Sequence, residues 1–210
     1  VPVGPAARTT PGQLTAAELD PAVVEASEYF LHVNLDPGRH PRVRLFEDDA
    51  RHILLASDET YDVIVSEPSN PWVAGIATLF TTEFYRDVKR YLAPGGLLVQ
   101  WLQTYEFNDR LLGSVLAALA ENFSDFEVYE TNGLDLIVVA VAEGRVPRLG
   151  ALPAKEVAFM DQLKRLGITR REELAALAIV AKRDIMPLFA PLAAPVNSDY
   201  RPYVQLEAPR

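Results

Sequence analysis

Residues 61–67 read Tyr-Asp-Val-Ile-Val-Ser-Glu, and this stretch decides the fold class. Tyr61–Ser66 is rich in β-branched residues and almost wholly apolar, which is typical of a strand buried on both faces of a parallel sheet. Glu67 follows at once, and a loop with two prolines and Trp72 comes next. Because ligands bind beyond the carboxyl ends of strands in open α/β sheets, the residues directly after this strand are the first candidates for function.

Similar strand–helix units lie on both sides of this stretch. The helices between the strands are amphipathic, and the first has Asp20 as a candidate N-cap before Pro21. The alternation predicts an α/β fold, Rossmann-like and doubly wound, with a mainly parallel sheet and a C-terminal antiparallel hairpin at one edge. The other predicted strands are Leu14–Leu19, Val43–Phe46, Leu97–Leu102 and the hairpin pair Phe126–Glu130 and Leu134–Ala142.

The domain organisation follows from the proline and glycine content. Residues 1–13 contain three prolines and two glycines, which predicts an irregular segment. The Rossmann-like domain is predicted over residues 14–143. Residues 144–210 are predicted to form a small helical extension packed on that domain, with a linker, helices over Ala154–Leu166 and Arg170–Lys182, and an irregular tail.

Composition excludes several classes of function. Lys plus Arg number 20 against 29 Asp plus Glu, and the net charge of −9 repels nucleic acid and favours cationic ligands. The absence of cysteine and the presence of only three histidines argue against a metal site. The apolar runs are far shorter than the ~20 residues that a membrane span needs. The sequence therefore predicts a soluble, cytoplasmic chain without a metal.

Three groups of acids follow predicted strands, and each has two interpretations. Glu18 is placed either to accept hydrogen bonds from a ribose diol or to be a solvated carboxylate at a strand end. Asp48 and Asp49 are placed either to accept from an adenine amino group or to cap the next helix. Glu67 either lies at the root of a stiff active-site loop or belongs to a turn that buries Trp72. Residue spacing alone leaves all three open.

The order of these motifs resembles that of a known family. The series comprises Ala17–Pro21, Asp48–Arg51, Tyr61–Pro71, Leu79–Phe80, Leu92–Gly96 with Gln100, and the closing Asn197–Pro202. In this order it resembles the polyamine aminopropyltransferase (spermidine synthase) family over roughly residues 14–142. It is most similar to a bacterial branch that is often fused to a membrane-embedded amino-terminal half.

The resemblance implies a methyltransferase-type fold that binds decarboxylated S-adenosylmethionine or S-adenosylmethionine. On this basis Glu18 holds the ribose hydroxyls and Asp49 holds the adenine amino group. Asp48 and Ser66 lie beside the same cofactor.

The resemblance also implies aminopropyl transfer to an amine or polyamine. Glu67 takes the place of the family's aspartate that helps to deprotonate the attacking amine. Tyr61, which would border the amine, is the second candidate catalytic residue. Asn70 stands where the family has a second aspartate. Trp72 and Gln100 border the amine.

Two departures keep alternatives open. The family carries a Gly-x-Gly-x-Gly loop before the ribose acid, where this chain has only Gly4 and Gly12. One alternative is an S-adenosylmethionine-dependent methyltransferase, which shares the fold and the ribose acid. The other is a degenerate, non-catalytic domain that binds a nucleoside or has a regulatory role. The resemblance further allows a homodimer and a membrane-embedded region that precedes this chain.

Overall fold

The computed structural model describes most of the 210-residue chain, namely residues 3–9, 12–34, 36–68, 75–105, 107–131, 133, 135–150, 152 and 157–207. The chain forms two compact units. Unit 1 comprises Val1–Ser57 and Leu149–Leu174, and unit 2 comprises Asp58–Arg148 and Ala175–Arg210. No helix in the described ranges is long and apolar enough to cross a membrane.

Helices and strands alternate through most of the chain. The strands are β1 (Leu14–Glu18), β2 (Val43–Glu47), β3 (Tyr61–Ser66), β4 (Leu92–Gln103), β5 (Asp125–Glu130), β6 (Asp135–Val141) and β7 (Ala178–Ala181). The α-helices are α1 (Val3–Thr9), α2 (Pro21–Ala26), α3 (Leu31–Asn34), α4 (Ala50–Leu55), α5 (Thr82–Tyr91), α6 (Asp109–Asn122), α7 (Val157–Arg165), α8 (Arg171–Ala175), α9 (Lys182–Phe189) and α10 (Tyr203–Glu207). Short 3-10 helices cover Ser27–Phe30, Pro37–Arg39, Ile76–Phe80 and Ala190–Leu192. The predicted α/β class is confirmed.

Unit 1 contains a two-stranded parallel sheet. β1 and β2 pair in register from Leu14 opposite Val43 to Glu18 opposite Glu47. Asp20 caps α2 by accepting a hydrogen bond from the amide of Ala22, as the sequence predicts. No residue of either strand is fully buried, because a sheet of two strands has too little width to enclose a core.

Unit 2 contains a five-stranded sheet in the order β3-β4-β6-β5-β7. β3 and β4 are parallel, as predicted, and the three remaining pairings are antiparallel. Alternate residues of β4 are buried on one face of the sheet. Large apolar side chains of β4, α5, α6 and β5 form the core, among them Leu98, Leu102, Phe84, Tyr85, Leu111, Leu116, Leu119 and Phe126.

The predicted hairpin forms but does not lie at the edge of the sheet. The predicted helix over Arg170–Lys182 is wrong in its second half, where β7 pairs antiparallel with β5. Ile179 and Val180 are β-branched and favour a strand once the outer edge of β5 offers hydrogen bonds. The tail after β7 is not irregular as predicted, because it contains α9 and α10.

Two further differences concern glycine-containing segments. Residues 3–9 are helical rather than irregular, because Pro5 lies in the first turn, where proline is tolerated, and Gly4 and Ala7 are buried. β4 starts before the predicted Leu97 because Gly95 adopts a φ of 78° and allows an irregular register against β3. At Gly96 a Cβ atom would lie only 3.0 Å from the carbonyl oxygen of Tyr61.

Candidate functional site

The predicted acids of unit 1 gather at one edge of its sheet. Glu18 ends β1 and lies opposite Glu47, the last residue of β2. Asp48 and Asp49 follow directly, so four carboxylates stand at the carboxyl ends of two parallel strands. Glu18 is half-buried, and its Oε1 accepts a hydrogen bond from the amide of Asp20 at 3.1 Å. Such carboxylates suit the hydroxyl and amino donors of a small polar ligand.

Asp49 is the N-cap of α4. Its Oδ1 accepts hydrogen bonds from the amides of Arg51 at 2.8 Å and His52 at 3.0 Å. The capping interpretation is therefore confirmed. Both bonds end on the same oxygen, so capping is compatible with an additional donor on Oδ2.

Asp48 is engaged within unit 1. Its Oδ1 accepts from the amide of Asp49 at 2.7 Å, and its Oδ2 lies 2.9 Å from Nδ1 of His52. Both carboxylate oxygens thus contact neighbouring residues of the chain. Of the two aspartates, Asp49 is the better placed to accept from a ligand.

In unit 2, Ser66 and Gln100 meet where β3 and β4 end. Ser66 is buried, and its carbonyl accepts a hydrogen bond from Nε2 of Gln100 at 3.2 Å. The same Nε2 donates to the carbonyl of Trp101 at 2.9 Å, and these two acceptors fix the orientation of the amide. Oε1 of Gln100 is then buried with no hydrogen-bond partner among the described residues. A buried acceptor of this kind is costly unless a water or ligand donates to it.

Glu67 follows Ser66 directly and is exposed. None of the described residues donates a hydrogen bond or forms an ion pair with its carboxylate, so nothing in that part of the chain supports a capping role. Asn70 and Trp72 lie outside the described residues.

Tyr61 is not brought to Glu67. It begins β3, whereas Glu67 follows its last residue. Six residues of strand at about 3.3 Å each separate the two positions by roughly 20 Å. The two positions therefore lie at opposite ends of one strand, and the catalytic role of Tyr61 stays a prediction.

Glu83, which lies in the first turn of α5, was assigned no role from the sequence. The exposed fraction of this residue is 9%, and it accepts hydrogen bonds from the hydroxyl of Ser198 and the amide of Asp199, both at 2.8 Å. Burial alone raises the pKa of Glu83, but these hydrogen bonds outweigh it and the pKa is lowered. The only local signal is an acid near a helix N-terminus.

No three His, Asp or Glu side chains in the described ranges gather as candidate metal ligands. The candidate functional groups are instead the carboxylates of Glu18 and Asp49 in unit 1, and the Glu67 carboxylate and the Gln100 amide in unit 2. Each group stands at the carboxyl end of a parallel strand, where open α/β sheets bind ligands.

Comparison with known proteins identifies similar chains. One relative is the polyamine aminopropyltransferase of Enterobacter sp. (strain 638), which is 39% identical over 87 residues, or 41% of this chain and 30% of that protein. The chain thus spans less than half the length of this curated relative.

Solved structures show the same fold. The spermidine synthase from Thermotoga maritima matches with a TM-score of 0.59 and 17% identity, over 86% of this chain and 60% of that one. Human methyltransferase-like protein 13 in complex with SAH matches with a TM-score of 0.56 and 19% identity, over 78% of each chain. The fold is therefore a methyltransferase-like α/β fold.

The family model for the spermine/spermidine synthase domain matches residues 8–132, which is more than half of the chain. This range includes β1 to β5 and the acids after β1, β2 and β3. The chain therefore belongs to the spermine/spermidine synthase family.

Proposed function

We propose that this chain is an aminopropyltransferase domain, which transfers the aminopropyl group of decarboxylated S-adenosylmethionine to an amine or polyamine. The observation that carries the proposal is Glu67 in a member of the spermine/spermidine synthase family. It is an exposed carboxylate directly after a parallel strand, with no hydrogen bond from the described residues.

The proposed reaction needs a group that accepts a proton. The lone pair of a neutral amine attacks the aminopropyl carbon next to the sulfonium. The new C–N bond forms as the C–S bond breaks, and the electron pair of the C–S bond neutralises the sulfur and leaves methylthioadenosine. The attacking amine loses a proton, which Glu67 accepts, and the negative carboxylate also stabilises the cationic amine in the transition state.

Glu18 and Asp49 are proposed to hold the nucleoside. Glu18 would accept from the ribose hydroxyls through the oxygen that does not bond the amide of Asp20. Asp49 would accept from the adenine amino group through Oδ2, since its cap uses Oδ1. The residues present fit the nucleoside in donor and acceptor type.

Gln100 is proposed to contact the amine on which Glu67 acts. The unpartnered Oε1 of Gln100 would accept a hydrogen bond from an ammonium group or from a water bound to it. The net charge of −9 favours a cationic acceptor over a neutral or anionic one. Asn70 and Trp72, predicted to border the amine, stay predictions, as do the cytoplasmic location and the homodimer.

The test is a product analysis by mass spectrometry. The chain is incubated with decarboxylated S-adenosylmethionine or with S-adenosylmethionine, each with putrescine or spermidine as acceptor. We expect methylthioadenosine and an aminopropylated amine in equal amounts with the decarboxylated compound only. A methylated amine formed from S-adenosylmethionine would instead assign methyl transfer, and no product from either would favour the non-catalytic alternative.

A further inference from the structure

We propose that Gln103, the last residue of β4, determines which amines the site accepts, because it binds the second nitrogen of a diamine or polyamine while Glu67 acts on the first. Its role is in specificity and not in proton transfer. This inference rests on the proposed function.

Gln103 carries a side-chain oxygen without a hydrogen bond. Its Oε1 is buried and has no partner among the described residues, as is also true of Oε1 of Gln100. Gln103 as a whole is half-buried, so its side chain borders solvent and a ligand can reach it. A buried amide oxygen without a donor costs free energy, and a donor from a ligand or a water removes that cost. Two such oxygens near the carboxyl end of β4 therefore indicate a place that receives hydrogen-bond donors.

β4 extends beyond the end of β3. Ser66, the last residue of β3, lies opposite Gln100, and β4 continues through Trp101–Gln103. β6 pairs with this extension on one side, and no strand in the described part of the chain pairs with it on the other. The extension therefore has an open edge just beyond the point where Glu67 follows β3.

The start of this extension lies beside Glu67. Nε2 of Gln100 donates to the carbonyl oxygen of Ser66 at 3.2 Å and to that of Trp101 at 2.9 Å, so these two oxygens lie at most about 6 Å apart. The carbonyl of Ser66 belongs to the peptide bond that leads into Glu67. Gln103 lies two residues past Trp101, and a strand rises about 3.3 Å per residue. An amine can reach both Glu67 and Gln103 only if a carbon chain separates its nitrogens.

Glu67 and Gln103 belong to the same face of the sheet. Side chains alternate between the two faces along a strand, and Val65 lies opposite Val99. Trp101 and Gln103 therefore share the face of Val65, and the same alternation, continued past the end of β3, places Glu67 there as well. Val65 is 56% exposed, so this face is open beside Glu67.

The residue opposite Gln103 provides a negative charge for a cation. Asp135, the first residue of β6, lies opposite Gln103 in the antiparallel register. Side chains directly opposite each other share one face, with Cβ atoms about 4.5–5.5 Å apart. An amide oxygen next to a carboxylate suits an ammonium group, which is positively charged and donates hydrogen bonds. A methyl group in the same place would leave Oε1 of Gln103 without a donor.

The test compares putrescine and spermidine with n-butylamine, which has the carbon chain of putrescine but a single nitrogen. The variant is Gln103→Met, which keeps the length of the side chain and removes the amide oxygen, whereas Gln103→Glu keeps an acceptor. The matched control is Gln162→Met, because Gln162 is also half-buried but lies in α7 of unit 1. For each protein, kcat/KM is measured with all three amines, and calorimetry gives the Kd for methylthioadenosine.

We expect the wild type to prefer putrescine and spermidine over n-butylamine, since a site built to bind a polar group rejects an analogue that lacks it. Gln103→Met should lower kcat/KM for these two amines roughly tenfold and leave that for n-butylamine near the wild-type value. Gln103→Glu should retain the preference, and Gln162→Met should match the wild type. The Kd for methylthioadenosine should stay the same in every protein. If Gln103→Met does not fold, Gln103→Asn is measured instead, because its shorter side chain withdraws the oxygen from the ligand.

A preference that survives in Gln103→Met, or an equal fall for all three amines in that variant, would overturn the specificity role and leave the proposed function intact. Wild-type transfer without a preference for putrescine or spermidine over n-butylamine would do the same. Absence of aminopropyl transfer by the wild type to any of the three amines would overturn the proposed function and, with it, this inference.

Discussion

The two units use their carboxylates in different ways. In unit 1, Glu18 and Asp49 accept hydrogen bonds from residues two or three positions away in the sequence. In unit 2, the buried Glu83 accepts from residues 115 and 116 positions away. Hydrogen bonds from neighbouring residues leave part of a carboxylate exposed for a ligand. Hydrogen bonds from distant residues bury the carboxylate and join separate parts of the fold. The difference separates carboxylates that stay open to a ligand from a carboxylate that holds the fold together.

The largest expected effect concerns Glu67, whose carboxylate accepts neither a local nor a long-range hydrogen bond from the described residues. Glu67→Gln keeps the shape of the side chain but removes the proton acceptor, so kcat should fall roughly 10²–10⁴-fold. The melting temperature and the Kd for methylthioadenosine should stay unchanged. Steady-state kinetics and calorimetry on the same preparation check this.

Glu143→Gln is the matched control for Glu67→Gln. Glu143 is also exposed, but it follows β6, whose last residue Val141 lies opposite Leu97 and so away from the carboxyl end of β4. Wild-type turnover in Glu67→Gln, or an equal loss in the control, would contradict the assignment of the base.

The next effect concerns packing, because truncating a buried aromatic side chain in unit 2 should cost more stability than truncating an exposed one in unit 1. Phe123 in unit 2 is 1% exposed and meets Tyr85 edge to face, with ring centroids 6.4 Å apart. Phe30 in unit 1 is 55% exposed. Phe123→Ala should lower the free energy of unfolding by about 3–5 kcal/mol, and Phe30→Ala by less than about 1 kcal/mol. Chemical denaturation measures both, and equal losses would contradict the contrast in packing.

A smaller effect distinguishes the role of Asp49 as the N-cap of α4 from its proposed role as an acceptor for the adenine amino group. Asp49→Ala removes the cap of α4 and should cost about 1 kcal/mol of stability as well as nucleoside affinity. Asp49→Asn keeps an oxygen for the cap, so stability should stay near that of the wild type while affinity for the adenine amino group falls. Affinity unchanged in both variants would leave Asp49 as a cap only.

The smallest effect is a dependence of stability on pH. Hydrogen bonds from the amide of Thr169 and the side chain of Arg170 lower the pKa of Glu173 to about 2, and the pKa of Glu83 is also lowered from its ordinary value of 4.5. Because the folded pKa lies below the unfolded one, each contribution is complete above about pH 4.5 and is lost as the pH falls through the folded pKa.

Melting curves between pH 7 and pH 2 check that stability falls as the pH falls. The wild-type chain should lose stability toward acid more steeply than Glu83→Gln and Glu173→Gln, which cannot titrate at these positions. Parallel curves for all three proteins would contradict the assigned pKa shifts.

The sequence predicts local features well and distant ones poorly. The cap Asp20 was found because a capping side chain bonds an amide only two residues away. The strand β7 was missed because its partner β5 lies about 50 positions earlier in the chain, and a short run of Ala, Ile and Val fits a helix equally well.

The candidate site follows the same rule. The positions of Glu18, Asp49 and Glu67 after strands were predicted, because strand ends can be read from the pattern of apolar residues. Tyr61 begins β3 and Glu67 follows its end, so the extended strand separates two residues that belong to one sequence motif. Glu83 was missed because its partners come from the other end of the chain.

We propose above that Glu18 and Asp49 hold the nucleoside while Glu67 acts on the amine. The most direct test of this proposal is a calorimetric titration of methylthioadenosine into the wild-type chain, Glu18→Ala and Glu67→Gln. We expect binding to the wild type, unchanged binding to Glu67→Gln, and loss of binding in Glu18→Ala with an unaltered melting temperature. No binding to the wild type, or wild-type binding to Glu18→Ala, would contradict it.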